Sequence, residues 1–238
     1  MREYPLTYFD GDQELEAWVV EPKDAQSGKT PIVLVAHMWS GRVPFVEDVA
    51  RRMASKGYVG FALDMYGKGR IGNSVEENMA LMTPFMEDRA LMQRRMQLAL
   101  KAARGVPLAD KERMVAIGYC FGGLCVQDLA RVSDQVQGVC SIHGLMQKPD
   151  NMDQGLWQAR ALFLHGDADP MVSLEDWLAL RDELNQAGCD WQKHDFGGVM
   201  HAFTNPDADD PELGTVYDPR AEKRSNELLN QFLEECFT

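Results

Sequence analysis

The chain has 238 residues, 45% of them hydrophobic and 26% charged, and its formal net charge is −13. This length and composition are typical of a soluble α/β protein, and we expect a single domain over residues 1–238. The acidic balance argues against nucleic acid as a partner, because a negatively charged surface repels phosphate backbones.

Neither a membrane segment nor a secretory signal is evident in the sequence. The longest strongly apolar run, PIVLVA at 31–36, is too short to span a bilayer, and the N-terminal residues MREYPLTYFDGDQ lack the apolar core of a signal peptide. The five cysteines, an odd number, argue against a disulfide framework and for a reducing compartment. No Cys/His spacing resembles a zinc site. We therefore expect a cytoplasmic protein with no membrane partner, in which any special cysteine acts as a free thiol.

Strand-like segments begin at the N-terminus and recur along the chain. LTYF-DGDQ-ELEAWVV predicts a β-hairpin with Asp10-Gly11 at its turn. The run TPIVLVAH (30–37) predicts a strand buried on both faces. Further strands are predicted at YVGFALDMYG, RMVAIGYC (113–120), VQGVCSIHG, RALFLHGDAD and WQKHDF.

Helical segments separate these strands. The sequence predicts a helix at VEDVARRMASKG, ending at Gly57, and another at SLEDWLALRDELNQAG, with Ser173 as N-cap and Gly188 as stop. A long C-terminal helix is predicted at DPRAEKRSNELLNQFLEECF. Strands that alternate with helices predict an α/β fold with a mainly parallel central sheet, flanked by helices on both faces and joined by right-handed crossovers.

Residues 67–92 form the least regular part of the sequence. Methionines lie there at near-helical spacing, at positions 79, 82, 86 and 92. One interpretation is core packing by a flexible apolar side chain, and the other is an adaptable wall over a substrate pocket. The spacing leaves both open, together with the question of a moving lid.

The segment IGYCFGG (117–123) has the pattern of a nucleophile elbow, G-x-S-x-G, with Cys120 in place of the serine. Gly118 and Gly122 supply the small neighbours that such a tight strand-to-helix turn requires. Amides at the N-terminus of the following helix favour a thiolate and stabilise an oxyanion. The alternative is an inert buried cysteine, which is what we expect of Cys125, Cys140 and Cys189.

A thiolate nucleophile needs a base, and the base needs an orienting group. In α/β-hydrolases these follow in the order nucleophile, acid, histidine, each at the C-terminal end of a strand. His201, in the loop FGGVMHAFTNP, fits the position of the base. His37 competes as a base but precedes the nucleophile in the chain, which breaks the usual order. Asp167 and Asp169, in ALFLHGDADPMVS, both fit the position of the acid by their chemistry.

These segments together resemble the dienelactone hydrolase family, which has the α/β-hydrolase fold and a cysteine nucleophile. The resemblance rests on GYCFGG, HGDADPMV, GVMHAFTNP, VLVAHMWSG and GYVGFALDMYG, and it covers nearly the whole chain. The family's triad aspartate lies in a D-x-x-V pattern, which is matched by Asp169 to Val172. The resemblance also implies an oxyanion hole formed by two backbone amides, those of Trp39 and Phe121.

The resemblance implies hydrolysis of a small-molecule ester or lactone by Cys120, Asp169 and His201, through a thioester acyl-enzyme. No metal or organic cofactor is required by this chemistry. A general carboxylesterase or thioesterase on the same scaffold, and a non-catalytic thiol sensor or binding protein, are the alternatives, with a cysteine peptidase a weaker one. The sequence does not indicate an oligomeric state.

Two positions depart from the family pattern. Met38 stands where the resemblance implies a glutamate that keeps the cysteine protonated, so Cys120 is expected to rest as a thiolate paired with imidazolium. The resemblance also implies arginines that bind a substrate carboxylate, one of them just beyond the catalytic histidine. This chain has no cation at that position. Four cations elsewhere are candidates for that role, namely Arg42, Lys68, Arg70 and Arg89.

Overall fold

An eight-stranded sheet organises the computed structural model, which describes residues 1–238. The strand order is β1-β2-β4-β3-β5-β6-β7-β8, with β3 to β8 parallel and the β1–β2 hairpin antiparallel to its neighbour β4. The strands are β1 (Arg2–Asp10), β2 (Gln13–Glu21), β3 (Thr30–Ala36), β4 (Val59–Ala62), β5 (Ala109–Tyr119), β6 (Gly138–Ile142), β7 (Arg160–Gly166) and β8 (Trp191–Phe196). The predicted mainly parallel sheet and N-terminal hairpin are confirmed.

Six helices cover the two faces of this sheet. They are α1 (Pro44–Ser55), α2 (Val75–Glu87), α3 (Arg89–Arg104), α4 (Phe121–Val132), α5 (Leu174–Ala187) and α6 (Pro219–Phe237). A second, two-stranded sheet pairs β9 (Asp209–Asp210) with β10 (Thr215–Val216). No helix combines the length and the apolar character needed to cross a lipid bilayer.

The core is divided into two layers by the alternation of side chains along the strands. In β3, Ile32 and Leu34 pack into the layer formed with α3, α4 and α5, while Val33 and Val35 pack into the layer formed with α1 and α6. Successive residues of a strand point to opposite faces of the sheet, so a strand covered on both sides is apolar throughout. This is why the run PIVLVA carries no polar residue.

Residues 67–92 are more regular than the sequence indicates, since α2 and the start of α3 lie within them. Capping side chains define both helices: the Ser74 hydroxyl accepts from the Glu77 amide, and Asp88 accepts from the Leu91 amide. The four methionines divide between the two interpretations. Those at 79 and 82 line a cavity described below, Met92 is buried in the core, and the partly buried side chains at 82 and 86 pack against the core.

Smaller corrections concern the ends of elements. The hairpin turn falls at Gly11-Asp12, because Asp10 pairs with Gln13. β5 begins at Ala109 rather than at 113. The β9–β10 hairpin is absent from the sequence-based assignment, because two-residue strands carry too few residues for a periodic pattern.

Candidate active site

Cys120 lies at the sharp turn between β5 and α4. Its backbone has φ 55° and ψ −118°, a conformation that L-residues with a side chain rarely adopt. The Cys120 amide donates to the carbonyl of Ile142 at 3.1 Å, which ties the turn to the end of β6. Strain of this kind persists only where the surrounding structure enforces it, and it is typical of nucleophile elbows.

The two glycines flanking the turn are required by close backbone contacts. A Cβ atom at Gly118 would lie 2.0 Å from the carbonyl oxygen of Gly122, and one at Gly122 would lie 2.4 Å from that of Ala36. Both distances are far below van der Waals contact, so α4 can start this close to β3 and β5 only with glycine at these positions.

Asp169 follows β7 and has both carboxylate oxygens engaged. Oδ2 lies 2.7 Å from Nδ1 of His201, and Oδ1 accepts from the Met171 amide at 2.8 Å. Its side chain is fully buried, whereas Asp167, two residues earlier, is exposed. The geometry therefore pairs Asp169 rather than Asp167 with the imidazole.

The loop that carries His201 is fixed by the β9–β10 hairpin. The His201 amide donates to the carbonyl of Gly214 at 2.9 Å, and its carbonyl accepts from the amide of Val216 at 3.0 Å. The ring is buried, and its Nε2 atom forms no hydrogen bond of normal geometry with any protein atom, the sulfur of Cys120 included. A free ring nitrogen beside a thiol leaves room for a reacting group, and catalytic contacts often tighten only when substrate binds.

The charge state of His201 is set by opposing influences. Burial disfavours the imidazolium, but a Cys120 thiolate and the hydrogen bond with Asp169 outweigh it and raise the pKa of His201 to about 10. The ring is thus a cation at neutral pH when the thiolate is present. The expected thiolate–imidazolium pair stays a prediction, because this pKa depends on the charge of the sulfur.

In Cys120→Ala, the pKa of His201 is expected to fall well below about 10, because burial still disfavours the cation while the thiolate charge is gone. Imidazole ¹⁵N shifts of the two proteins, followed across the range in which histidines titrate, measure the change. His37 is the internal control, since burial lowers its pKa and should keep it neutral in both. An unchanged His201 titration would show that Cys120 does not act on this ring.

His37, the competing base, is occupied by the backbone around it. Its Nδ1 donates to the carbonyl of Met38 at 2.6 Å, and its Nε2 accepts from the amide of Met65 at 3.1 Å. With both ring nitrogens engaged and the ring fully buried, His37 is not available to a substrate.

The other histidines also lie apart from the thiol chemistry. Nε2 of His143 forms a hydrogen bond with the Thr204 hydroxyl at 2.8 Å. The centroid of its ring lies 5.2 Å from that of His201, so His143 packs against the base. His165 is buried, and its Nδ1 is 3.9 Å from the Asp169 carboxylate. His194 makes only an exposed contact with Gln192.

The loop after β3, which carries the Trp39 amide, is held by two side chains. The carbonyl of Met38, which belongs to the same peptide unit as the Trp39 amide, accepts from His37, and the Trp39 carbonyl accepts from the Tyr66 hydroxyl at 3.0 Å. Phe121 is the first residue of α4, so its amide has no acceptor within the helix. These two amides remain the predicted donors of the oxyanion hole.

Cys120 and His201 open into one cavity of about 540 Å³. Met38 and Trp39, on the loop after β3, form part of its wall, and residues of the β9–β10 hairpin form another part and serve as its cover. A more open groove of about 720 Å³ lies at the opposite edge of the sheet and contains none of these groups. No cluster of three or more His, Cys, Asp or Glu side chains is arranged to hold a metal ion.

Comparison with known proteins identifies the family of this chain. The model of the dienelactone hydrolase family matches residues 15–237. A crystal structure of a dienelactone hydrolase-like promiscuous phosphotriesterase from metagenomic libraries superposes with a TM-score of 0.94, at 30% identity, over 100% of this chain and 99% of that chain.

Two further relatives were found by sequence. A protein of Aquifex aeolicus named "Putative carboxymethylenebutenolidase" is 25% identical over 93% of each chain. An uncharacterized protein of Caenorhabditis elegans is 36% identical over 60% of this chain and 92% of its own length.

This chain belongs to the dienelactone hydrolase family. The α/β-hydrolase fold expected from the sequence is therefore confirmed, and the family makes the protein a hydrolase of ester or lactone bonds. Met38, at the position where the family resemblance implies a glutamate, lines the cavity beside Cys120 and cannot accept a proton.

The remaining cysteines differ in their surroundings. Cys125 and Cys140 are buried as expected, and burial raises the pKa of each thiol. Cys189 is only half-buried, contrary to expectation, although burial still raises its pKa to about 12. Cys236 lies on the buried face of α6.

Sequence reasoning missed Tyr66 and the β9–β10 hairpin as parts of the site. Tyr66 lies four residues after the last residue of β4, at the sheet edge where the parallel strands end, and that position was the available signal. The hairpin gave no comparable signal, because its acidic residues look like those of any solvated loop.

Proposed function

We propose that the protein hydrolyses the ester or lactone bond of a small molecule through a thioester acyl-enzyme on Cys120. One observation carries the proposal: Cys120, on its strained turn, shares a cavity with His201, whose Nδ1 lies 2.7 Å from the buried Asp169. Cys120, Asp169 and His201 follow each other in the chain order usual for α/β-hydrolases, and their side chains can serve as nucleophile, orienting acid and base in covalent acyl transfer.

In the first half-reaction, the Cys120 sulfur attacks the carbonyl carbon. The carbonyl oxygen becomes an oxyanion that accepts hydrogen bonds from the amides of Trp39 and Phe121, each donor lowering the barrier by about 3 kcal/mol. Collapse of the intermediate breaks the carbon–oxygen bond to the alcohol, which takes its proton from Nε2 of His201. With a lactone, this alcohol stays attached to the acyl chain.

In the second half-reaction, His201 serves as a base. Its Nε2 accepts a proton from water, and the hydroxide oxygen attacks the thioester carbon. The same two amides stabilise the second oxyanion, and the carbon–sulfur bond breaks to release the acid and restore Cys120. Asp169 holds Nδ1 protonated throughout, which keeps Nε2 directed at the sulfur side of the cavity.

The test is capture of the acyl-enzyme. Rapid acid quench of a reaction with p-nitrophenyl acetate, followed by peptide mass spectrometry, should find acetyl on Cys120 and on no other cysteine. Steady hydrolysis without any acylated Cys120 would contradict the proposed intermediate. Modification of Cys120 without turnover of any ester, lactone or acyl-thioester would favour a thiol sensor.

A second candidate is cleavage of uncharged phosphotriesters. It is favoured by the 30% identical structural relative, which is described as a phosphotriesterase and matches this chain along its full length. The phosphoryl oxygen would occupy the position of the carbonyl oxygen, and Cys120 would attack phosphorus. Adding diethyl p-nitrophenyl phosphate to the substrate panel compares the two activities by kcat/KM.

A further inference from the structure

The walls of the cavity around Cys120 are mainly apolar. Met38, Met82, Leu145 and Met171 surround the sulfur side, and Trp39 adds an aromatic surface. Two apolar side chains of the cavity lining reach solvent, since Met79 is 44% exposed and Leu213 is 38% exposed. A cavity of this kind favours apolar substrate groups, because their burial removes apolar surface from water.

The charges that line the cavity, apart from the reacting groups, are all negative. Asp207, Asp209 and Asp210 lie on the segment that forms the hairpin cover, and no lysine or arginine lines the cavity. His201 does not supply a free positive charge, because its Nδ1 lies 2.7 Å from the buried Asp169 carboxylate. An anion entering the cavity would therefore lose water without gaining a counter-ion.

The four cations considered from the sequence are engaged elsewhere and line no part of this cavity. Three of them form ion pairs with carboxylates, and one donates to a backbone carbonyl. Their partners are Glu16 and Glu47 for Arg42, Glu14 and Glu16 for Lys68, Asp128 for Arg89, and the carbonyl of Tyr66 for Arg70. Recruiting any of them would break an existing contact, at a high cost for the buried Arg89–Asp128 pair.

We propose that this site selects substrates by charge. It accepts esters whose apolar acyl chain carries no charge or a positive charge, and it rejects esters whose acyl group carries a carboxylate. The inference rests on the proposed ester hydrolysis at Cys120. The three carboxylates repel a substrate anion and attract a cation, and the Trp39 ring adds a surface that suits an ammonium group. The net charge of −13 acts in the same direction at longer range.

The first measurement compares three p-nitrophenyl esters of matched chain length. Their acyl groups come from heptanoic acid, from heptanedioic acid and from trimethylammoniohexanoic acid, which are neutral, anionic and cationic. We expect kcat/KM of the anionic ester to be lower than that of the neutral one by about tenfold or more at low ionic strength. The ratio should shrink as salt is added, because the aspartates at the mouth are exposed to screening ions.

The second measurement removes negative charge from the protein. Asp209→Asn/Asp210→Asn removes two of the carboxylates, and the asparagine at 210 can still accept from the Leu213 amide. The anionic-to-neutral ratio of kcat/KM should rise several-fold in this double variant. Asp134→Asn is the matched control, since Asp134 is exposed on the connection into β6, at the opposite edge of the sheet. It should leave the ratio unchanged.

A third measurement does not depend on turnover. Anionic, neutral and cationic methanethiosulfonates are compared by their rates of reaction with Cys120, each divided by its rate with 2-mercaptoethanol. Equal normalised rates, together with equal kcat/KM for neutral and anionic esters, would overturn the inference, and Cys120-dependent hydrolysis would still support the proposed function. Charge-selective labelling without hydrolysis of any ester would support the charge selection and refute the proposed function.

Discussion

Replacement of Cys120 with alanine is expected to lower kcat for ester hydrolysis by about 10⁴-fold or more, because every later step depends on the bond that the sulfur forms. The amides of Trp39 and Phe121 remain in the variant, but they have no tetrahedral intermediate to stabilise. Initial rates with p-nitrophenyl esters, corrected for the rate without enzyme, measure the loss. Because the substitution lies in the strained turn, a thermal unfolding curve checks that the variant keeps the fold.

Cys189→Ser provides the matched control for the loss of a thiol. Cys189 is half-buried at the end of α5, and its sulfur donates to the carbonyl of Ala159, a contact that serine can keep. This variant should retain full activity. Activity in Cys120→Ala close to that of the wild type would assign the hydrolysis to another group.

Replacement of Asp169 with asparagine is expected to reduce kcat by about 10³-fold to 10⁴-fold with a smaller change in KM. The carboxylate accepts from Nδ1 of His201 at 2.7 Å and so keeps the proton on that nitrogen. An asparagine can present its amide group to the ring instead, which favours the tautomer with Nε2 protonated and unable to accept a proton. Full kinetics over a range of substrate concentrations separate kcat from KM.

The matched control for this change is Asp167→Asn. Asp167 lies two residues away on the same loop, but its side chain is exposed and forms no pair with His201. The same substitution there should leave kcat within about twofold of the wild-type value, as is usual for surface positions. Comparable losses in the two variants would mean that the loop, rather than the Asp169 carboxylate, is what catalysis requires.

The parts of the site that the sequence predicts are those that end buried strands. Cys120 follows β5 and Asp169 follows β7, and both strands contain buried apolar segments whose carboxyl ends must meet at one edge of a parallel sheet. The glycines around Cys120 add a local steric signal. The strand pattern therefore places these two residues near each other without knowledge of any contact.

Other parts of the site depend on contacts that no local pattern records. Residue chemistry alone does not separate Asp167 from Asp169, because the choice depends on which carboxylate turns inward toward a residue 32 positions away. The role of His37 also follows from its two backbone partners, one of them 28 positions away. α2 and α3 escaped prediction because their caps, Ser74 and Asp88, lie among polar residues typical of a loop.

The pairing of His201 with residues 214–216 has a consequence for protein engineering. Both backbone groups of His201 bond to this segment, which also forms one strand of the cavity cover. Replacing the β9–β10 hairpin with a shorter or shifted one would therefore move His201 as well as the wall of the cavity. Exchange of substrate range between homologues should therefore transfer residues 201–216 as one cassette, whereas α2 offers a wall that can be redesigned without touching the proton-transfer apparatus.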